Sequence, residues 1–211
     1  MIKHPVSIAG ILLALFATAG TALVAVTNNL TAEKIAANER EALLQSLTAL
    51  VPADTIDNDI VTDTRLVSEK ALLGSDQTLV YLGRKQGKPV AAVFSSVVPN
   101  GYSGPIKLLV AVRVDGTLGG VRVVSHKETP GLGDKVEENR SDWIFSFAGK
   151  SLSNPSLPGW KVKKDGGQFD QFTGATITPR AVVGGVKNTL LYFKEHGKSL
   201  FLKPVKAAKN E

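Results

Sequence analysis

Apolar residues fill the start of the chain, and the pattern then changes to a helical spacing. Residues 6–26 contain no charged side chain. A helix of this length, at about 1.5 Å per residue, spans the ~30 Å hydrocarbon core of a bilayer. Because the apolar region of a cleaved signal peptide has about 7–15 residues, the length favours a retained transmembrane helix over that alternative. Spaced apolar residues from Leu30 to Leu50, before Pro52, predict a helical stalk.

The pattern changes again near Thr78, where short runs of apolar and β-branched residues begin. Turn segments rich in Gly, Pro, Asn or Asp separate the runs, and this spacing predicts an antiparallel meander. The four runs are TLVYLG, KPVAAVFSSVV, IKLLVAVRV and LGGVRVVS. A helix is predicted from Asp134 through KVEENRSDWIFSFAGK, and a second from Pro179. Strands followed by helices without strict alternation predict an α+β fold.

These elements divide the chain into four parts. They are a membrane anchor at 1–29 with its transmembrane helix at about 6–26, a helical stalk and linker at 30–75, a folded domain at 76–200, and a basic tail at 201–211. Lys3 and the amino terminus precede the span, whereas Lys34 and Arg40 lie among acidic residues after it. The positive-inside rule therefore predicts a cytoplasmic amino terminus and a domain on the outer side of the membrane.

Composition excludes several kinds of site. The chain has no cysteine, which excludes disulfides, thiolate nucleophiles and cysteine-ligated metal centres. Its three histidines, His4, His126 and His196, are far apart in the sequence, which argues against a metal site or a Ser-His-Asp triad. Neither a phosphate-binding P-loop nor a dinucleotide-binding glycine fingerprint is present.

The net charge of +6 comes from the last quarter of the chain. Residues 160–211 hold 10 of the 25 Lys and Arg but only 4 of the 19 Asp and Glu. This surplus indicates a phosphate or an acidic partner near Lys161, Lys163, Lys164 and Arg180, or else a solvated basic surface. Nucleic acid is not expected, because no aromatic residues alternate with the basic ones and no recognition motif is present.

Two glycine-bearing segments are candidates for ligand binding. HKETPGLGDK, residues 126–135, has two glycines that permit close approach of a flat ligand or simply form a tight turn. DQFTGATITP, residues 170–179, places three threonines before the predicted helix. Thr178 and Pro179 suit an N-cap and a first helical position, and the free amides of a helix start favour an anion near Thr176.

The second segment carries a specific resemblance. DQFTGAT, residues 170–176, resembles the D-x-x-[ST]-G-A-T motif on which a flavin transferase attaches FMN through a phosphoester to the last threonine. Together with ETPGLGDK, GYSG and the N-terminal anchor, nearly the whole chain resembles the G subunit of the Rnf (Rsx) electron-transport complex. The C subunit of the sodium-translocating NADH:quinone reductase shares the FMN-binding domain, which the resemblance assigns here to residues 76–200.

The resemblance implies roles for individual residues. Thr176 would carry FMN and Thr178 would cap the helix beneath the phosphate, although both hydroxyls belong to the same helix start and either could be the attachment point. The remaining implied contacts are Lys163, Thr173, Gly174 and Ala175 around the phosphate and ribityl chain, and Glu128, Thr129, Gly131 and Leu132 against the isoalloxazine ring.

The implied function is a membrane-anchored electron carrier with covalent FMN, in a redox-driven ion-translocating complex of the bacterial inner membrane. Expected partners are the other membrane subunits, a flavin transferase for maturation, and membrane lipid. No side chain is placed for acid–base work on an organic substrate, so independent turnover is not expected. Two alternatives stay open: the C-type subunit of the quinone reductase, and an anchored module that binds a phosphorylated ligand without redox chemistry.

Overall fold

The computed structural model describes residues 5–202, except for the side chain of Val6. It contains two compact units, Met1–Gln45 and Ser46–Glu211. Helix α1, Pro5–Leu50, begins in the first unit and ends in the second. Lys3, used above for orientation, and residues 203–211 of the predicted basic tail lie outside the described residues.

The first unit consists of helix α1 up to Gln45. Its large apolar side chains are exposed, among them Leu13, Phe16 and Leu23. The helix is long and apolar enough to cross a membrane by length and composition, and its most apolar stretch has no buried residue. A signal sequence meets the same criterion. The predicted transmembrane helix and the predicted stalk are continuous in this structure.

The second unit is built on one five-stranded antiparallel sheet whose strands follow their order in the sequence. The strands are β1 Thr64–Val67, β2 Thr78–Lys85, β3 Lys88–Val98, β4 Ile106–Arg113 and β5 Leu118–Ser125. The predicted meander and the α+β class are confirmed. Strand β1 was not predicted, and it lies within the segment expected to be stalk and linker. A short helix α2, Lys70–Leu73, separates it from β2.

One face of the sheet packs against helix α3, Ile177–Leu200. The strand register aligns Val80, Phe94, Val110 and Val121 in one row across β2 to β5. All four are fully buried, and the Phe94 ring meets two rings of α3 edge-on at centroid distances of 5.8 and 6.2 Å. This row is the centre of the core, and it fixes the position of α3 on the sheet.

The other face of the sheet is covered by the end of α1. Leu47, Leu50 and Val51 are almost fully buried. A Cβ atom at Gly119 would lie 3.0 Å from the Leu50 carbonyl oxygen, so the backbones pass close together there. Strand β4 is therefore buried on both faces, which explains its nearly continuous apolar sequence.

The predicted helix from Asp134 is wrong. Two short 3₁₀ helices, Gly133–Val136 and Asp142–Phe147, occupy this region. Ser141 separates them, because its hydroxyl donates to the Lys135 carbonyl at 2.6 Å and accepts from the Trp143 amide at 3.2 Å. A serine that bonds nearby backbone groups in this way favours a cap over a continuous helix.

Two adjacent glycines of α3 give a test of the packing between α3 and the sheet. A Cβ atom at Gly185 would lie 2.4 Å from Val98 Cγ2, whereas one at Gly184 would meet nothing within 4 Å. Gly185→Ala should lower the free energy of unfolding by about 1–3 kcal/mol through overpacking. Gly184→Ala should raise it by up to ~1 kcal/mol through helix propensity. Denaturant unfolding followed by tryptophan fluorescence measures both, and equal effects would contradict this packing.

Candidate functional site

The Glu128 carboxylate joins three separate segments of the domain. Glu128 lies in the loop after β5 and is only 4% exposed. Its Oε1 accepts a hydrogen bond from the Ser103 amide at 3.0 Å, and its Oε2 accepts one from the Thr178 hydroxyl. The GYSG loop, the ETPGLGDK loop and the first turn of α3 therefore meet at one side chain. We call this group, Glu128 with Ser103 and Thr178, the carboxylate tie.

Two glycines leave room for the carboxylate tie. A Cβ atom at Gly101 would lie 2.8 Å from Glu128 Oε1. One at Gly133 would lie 2.9 Å from Glu128 Oε2 and from the Thr178 hydroxyl oxygen. Both distances are too short for a side chain, so a glycine is required at each place. This close packing is a reason for the glycines in the two motifs.

His126 extends the hydrogen-bond network from Glu128 to Glu137. Its Nδ1 accepts from the Glu128 amide at 2.9 Å, and its Nε2 lies 2.6 Å from Glu137 Oε1. Because Nδ1 accepts, the ring proton is assigned to Nε2, which then donates to Glu137. The sequence alone indicated an isolated histidine at this position. Its position two residues before Glu128, in the same motif, was the sequence feature that could have indicated its contact with Glu128.

The segment that resembles the FMN-attachment motif, residues 170–176, forms a tight turn. The Ala175 amide donates to the Phe172 carbonyl at 3.1 Å, and Gly174 takes the left-handed conformation with φ of 80°. A Cβ atom at Gly174 would contact Leu132 Cδ2 at 3.6 Å. The fold thus brings the two glycine-bearing motifs together, although 42 positions separate Leu132 from Gly174 (174 − 132). Thr173 and Gly174 are exposed and Ala175 is half-buried.

Aromatic side chains anchor this turn to the core. The Trp143 ring lies edge-on to Phe172 at a centroid distance of 5.1 Å, and its Nε1 donates to the Asp170 carbonyl at 2.8 Å. Phe169 stacks on Phe147 at 4.8 Å. The sequence placed Trp143 within the predicted helix from Asp134 and did not connect it with the turn, because the contact joins residues far apart in sequence.

Thr176 and Thr178 have different environments. Thr176 is half-buried, precedes the first residue of α3, and makes no capping hydrogen bond with its side chain. Thr178 is 1% exposed and donates its hydroxyl to Glu128. Successive helical residues are about 100° apart, so two residues apart they point in nearly opposite directions. The Thr178 hydroxyl is directed into the domain, and that of Thr176 has no such constraint.

The predicted start of α3 at Pro179 and the predicted capping role of Thr178 are both wrong. The helix begins at Ile177, two residues earlier, with Thr176 in the N-cap position. The physical reason is position: Thr178 is the second residue of α3, inside the helix, and its hydroxyl donates to the buried Glu128 carboxylate. Proline is tolerated at position 179 because first-turn amides need no partner within the helix.

Two of the cations expected at a phosphate, Lys163 and Arg180, are already paired with carboxylates. Lys163 Nζ lies 2.5 Å from Asp170 Oδ1. Arg180 makes two bonds to Asp165, of 2.6 and 2.8 Å, and the first cause of the lowered pKa of Asp165 is this hydrogen bonding. These pairs are exposed, so an incoming anion can exchange for the carboxylates at low cost.

Exposed apolar side chains border the same region. Tyr102 is 68% exposed beside Ser103, Ile177 is 44% exposed beside Thr178, and Leu132 is 42% exposed. Thr129 and Gly131 are also exposed on the loop. A free threonine hydroxyl, an open turn and these apolar surfaces form a set that fits a phosphorylated aromatic group such as FMN.

Comparison with known proteins gives the same assignment. The FMN-binding domain family matches residues 101–191, and the RnfG N-terminal region matches residues 1–50. The chain is 47% identical over 197 residues to the G subunit of the ion-translocating oxidoreductase complex of Vibrio atlanticus, covering 93% of this chain and 94% of that protein. For the G subunits of Pseudoalteromonas atlantica and Shewanella oneidensis, the identities are 48% over 193 residues and 44% over 204 residues. These alignments cover 91% and 96% of this chain and 90% and 96% of those proteins.

The chain belongs to the RnfG family, the G subunits of ion-translocating oxidoreductase complexes. The matched FMN-binding domain contains both loops of the carboxylate tie, the turn at residues 170–176 and most of α3. The matched N-terminal region coincides with helix α1. That apolar helix is consistent with a single pass through the inner membrane.

The carboxylate tie gives a stability prediction for this member of the RnfG family. Thr178→Val removes the hydroxyl and leaves Glu128 Oε2 buried without that donor, which should cost about 1–3 kcal/mol of unfolding free energy. Thr178→Ser keeps the hydroxyl and is the matched control. Both tryptophans, Trp143 and Trp160, lie in this domain, so their fluorescence during urea unfolding reports its stability. Equal stability of the Val and Ser variants would show that the bond contributes nothing.

Proposed function

We propose that this chain is a membrane-anchored electron carrier that holds FMN covalently on Thr176 and works as a subunit of an Rnf-type complex. The chemistry of the phosphoester link comes from the D-x-x-T-G-A-T motif at residues 170–176. The relatives named above are subunits of an ion-translocating oxidoreductase complex, and the chain has the FMN-binding domain.

The single observation that carries the choice of Thr176 is the contrast between its side chain and that of Thr178. Attachment requires a hydroxyl that a transferase can reach. Thr176 is half-buried and makes no capping bond, whereas Thr178 is 1% exposed and bonded to Glu128. Modification of Thr178 would break the carboxylate tie, while modification of Thr176 would leave it intact.

The remaining residues would hold the group in place. Thr173 would donate a hydrogen bond to a phosphate oxygen, and Gly174 and Ala175 would leave space for the ribityl chain. Lys163, now paired with Asp170, would balance phosphate charge. Leu132 would lie against the ring together with Thr129 and Gly131, whose exposed backbone permits close approach.

Glu128 was expected to accept from a ring N–H, and the proposal gives it a second role. Both of its oxygens accept from protein donors, and each oxygen of a carboxylate has capacity for one further donor. Its main contribution would be to position the ETPGLGDK loop, which faces the ring, relative to Thr178 and the turn at residues 170–176.

FMN supplies the chemistry when bound, because it exchanges electrons singly or in pairs, and the protein supplies position and potential. The residues of this chain would exclude water from the ring, orient it and keep it attached. Covalent attachment suits a carrier outside the cytoplasm, where a lost cofactor could not be replaced. The immediate partners would be other subunits of the complex, with a flavin transferase required for maturation.

Family membership favours this function over the two alternatives. The relatives named above are G subunits and not C-type subunits of a quinone reductase. A module that binds a phosphorylated ligand without redox chemistry would carry no flavin after denaturation. Flavin that stays on the denatured protein therefore excludes such a module.

Thr176→Ala should abolish covalent flavin without unfolding the domain, because Thr176 makes no capping bond whose loss would destabilise α3. The protein is coexpressed with a flavin transferase, denatured, separated on a gel and examined for flavin fluorescence. Thr178→Ser is the matched control and should remain fluorescent, since it preserves the bond to Glu128. Fluorescence of the Ala variant would exclude Thr176 as the attachment point, and loss of fluorescence in a folded Ser control would show that flavin attachment requires Thr178.

The orientation proposed from the charges around the span places the amino terminus in the cytoplasm. Residues from Leu30 onward should then be digested by a protease added to cells with a permeabilised outer membrane. A cytoplasmic protein should remain intact in the same sample. Protection of the domain to the same extent as this cytoplasmic control would reverse the proposed orientation.

A further inference from the structure

A concave groove of about 1060 Å³ lies beside the C-terminal half of α3. It is bordered by the turns that join β2 to β3 and β4 to β5, and by the loop at residues 151–153. The groove residues of α3 begin at Leu190, which is fourteen residues after Thr176 (190 − 176). At 1.5 Å per residue this is about 20 Å along the helix, so the groove is separate from the attachment site.

The walls of the groove are largely apolar. The apolar side chains that line it include Val114, Leu152, Leu190, Phe193, Phe201 and Leu202. Two of these, Val114 and Leu202, are 53% and 79% exposed, so they present apolar surface to solvent. Concave, mostly apolar sites of roughly 300–1,000 Å³ with a few polar groups are typical of small-molecule ligands.

Two lysines give the groove a positive edge. Lys194 and Lys198 are four residues apart, so they project from the same side of α3. Both are exposed, and neither forms an ion pair with any residue in the range 5–202. The other charged groups of the lining are engaged, since Arg84 binds Asp63 at 2.7 Å and Asp115 accepts two bonds from Thr117.

We propose that this groove binds one anionic phospholipid molecule, with an acyl chain along the apolar walls and the phosphate at Lys194 and Lys198. Charge complementarity selects an anionic amphiphile. Lipid is the amphiphile that this protein would encounter, because α1 is long and apolar enough to hold the same chain at a bilayer. The segment KPVKAAKNE after Leu202 contains three lysines and one glutamate, so its charge does not complement the basic edge of the groove.

Photolabelling of the full-length protein in lipid nanodiscs tests this proposal. Phosphatidylglycerol with a diazirine in one acyl chain is added at low fraction to phosphatidylcholine discs, and labelled peptides are identified by mass spectrometry after chymotrypsin digestion. Label is expected between Leu190 and Leu202, at the end of α3 and just after it, and in the apolar part of α1, which serves as internal reference. Phosphatidylcholine with the same diazirine should label α1 equally and the groove much less.

The paired substitution Lys194→Glu with Lys198→Glu should lower groove labelling about tenfold or more relative to α1, because each basic residue contributes to attraction of anionic lipid. Lys70→Glu with Lys107→Glu makes the same change of charge at exposed positions that do not line the groove, and labelling should not change. Labelling by both lipids alike, or insensitive to the groove substitutions, would overturn the proposal. Labelling of α1 without the groove would overturn it too, and would leave the groove to an acidic amphipathic segment of a partner chain.

Discussion

The Glu128 carboxylate is buried between two glycine backbones and must find its hydrogen-bond donors within the protein. Burial of a carboxylate costs several kcal/mol unless it is hydrogen-bonded, so the loss of either protein donor would destabilise the domain. One donor comes from the GYSG loop and the other from the first turn of α3. These segments and the ETPGLGDK loop must therefore stay in register for the domain to be stable.

This constraint determines which threonine is available for chemistry. Because the Thr178 hydroxyl is held by Glu128, the helix start has a fixed rotation about its axis. Thr176 then lies at the edge of the turn formed by Phe172 to Ala175, with no capping bond of its own. The same carboxylate orders the loop that carries Leu132, which contacts Gly174. A single buried group thus couples the proposed attachment point to the surfaces proposed to hold the ring.

Sequence patterns predicted the long strands well, because β2 to β5 are rich in apolar and β-branched residues and have clear turns between them. Strand β1 was missed because Thr64–Val67 is a four-residue edge strand with mixed polarity. Both errors in helix boundaries involve a hydroxyl side chain. Ser141 caps the second 3₁₀ helix inside a segment that was predicted to be one continuous helix. Thr178 donates its hydroxyl to a carboxylate fifty positions away in sequence. Local capping rules contain no information about such a distant acceptor. The motif residues were predicted from resemblance, whereas the network through His126 depended on the fold.

The central claim is that FMN is carried by Thr176 because Thr178 is held in the carboxylate tie. Tandem mass spectrometry of the flavin-bearing peptide from the unaltered protein, matured with its transferase, tests it most directly. The fragments should place the flavin phosphate on Thr176, with Thr173 and Thr178 unmodified. Flavin phosphate on Thr178 would contradict the account, because that modification cannot coexist with the hydrogen bond to Glu128.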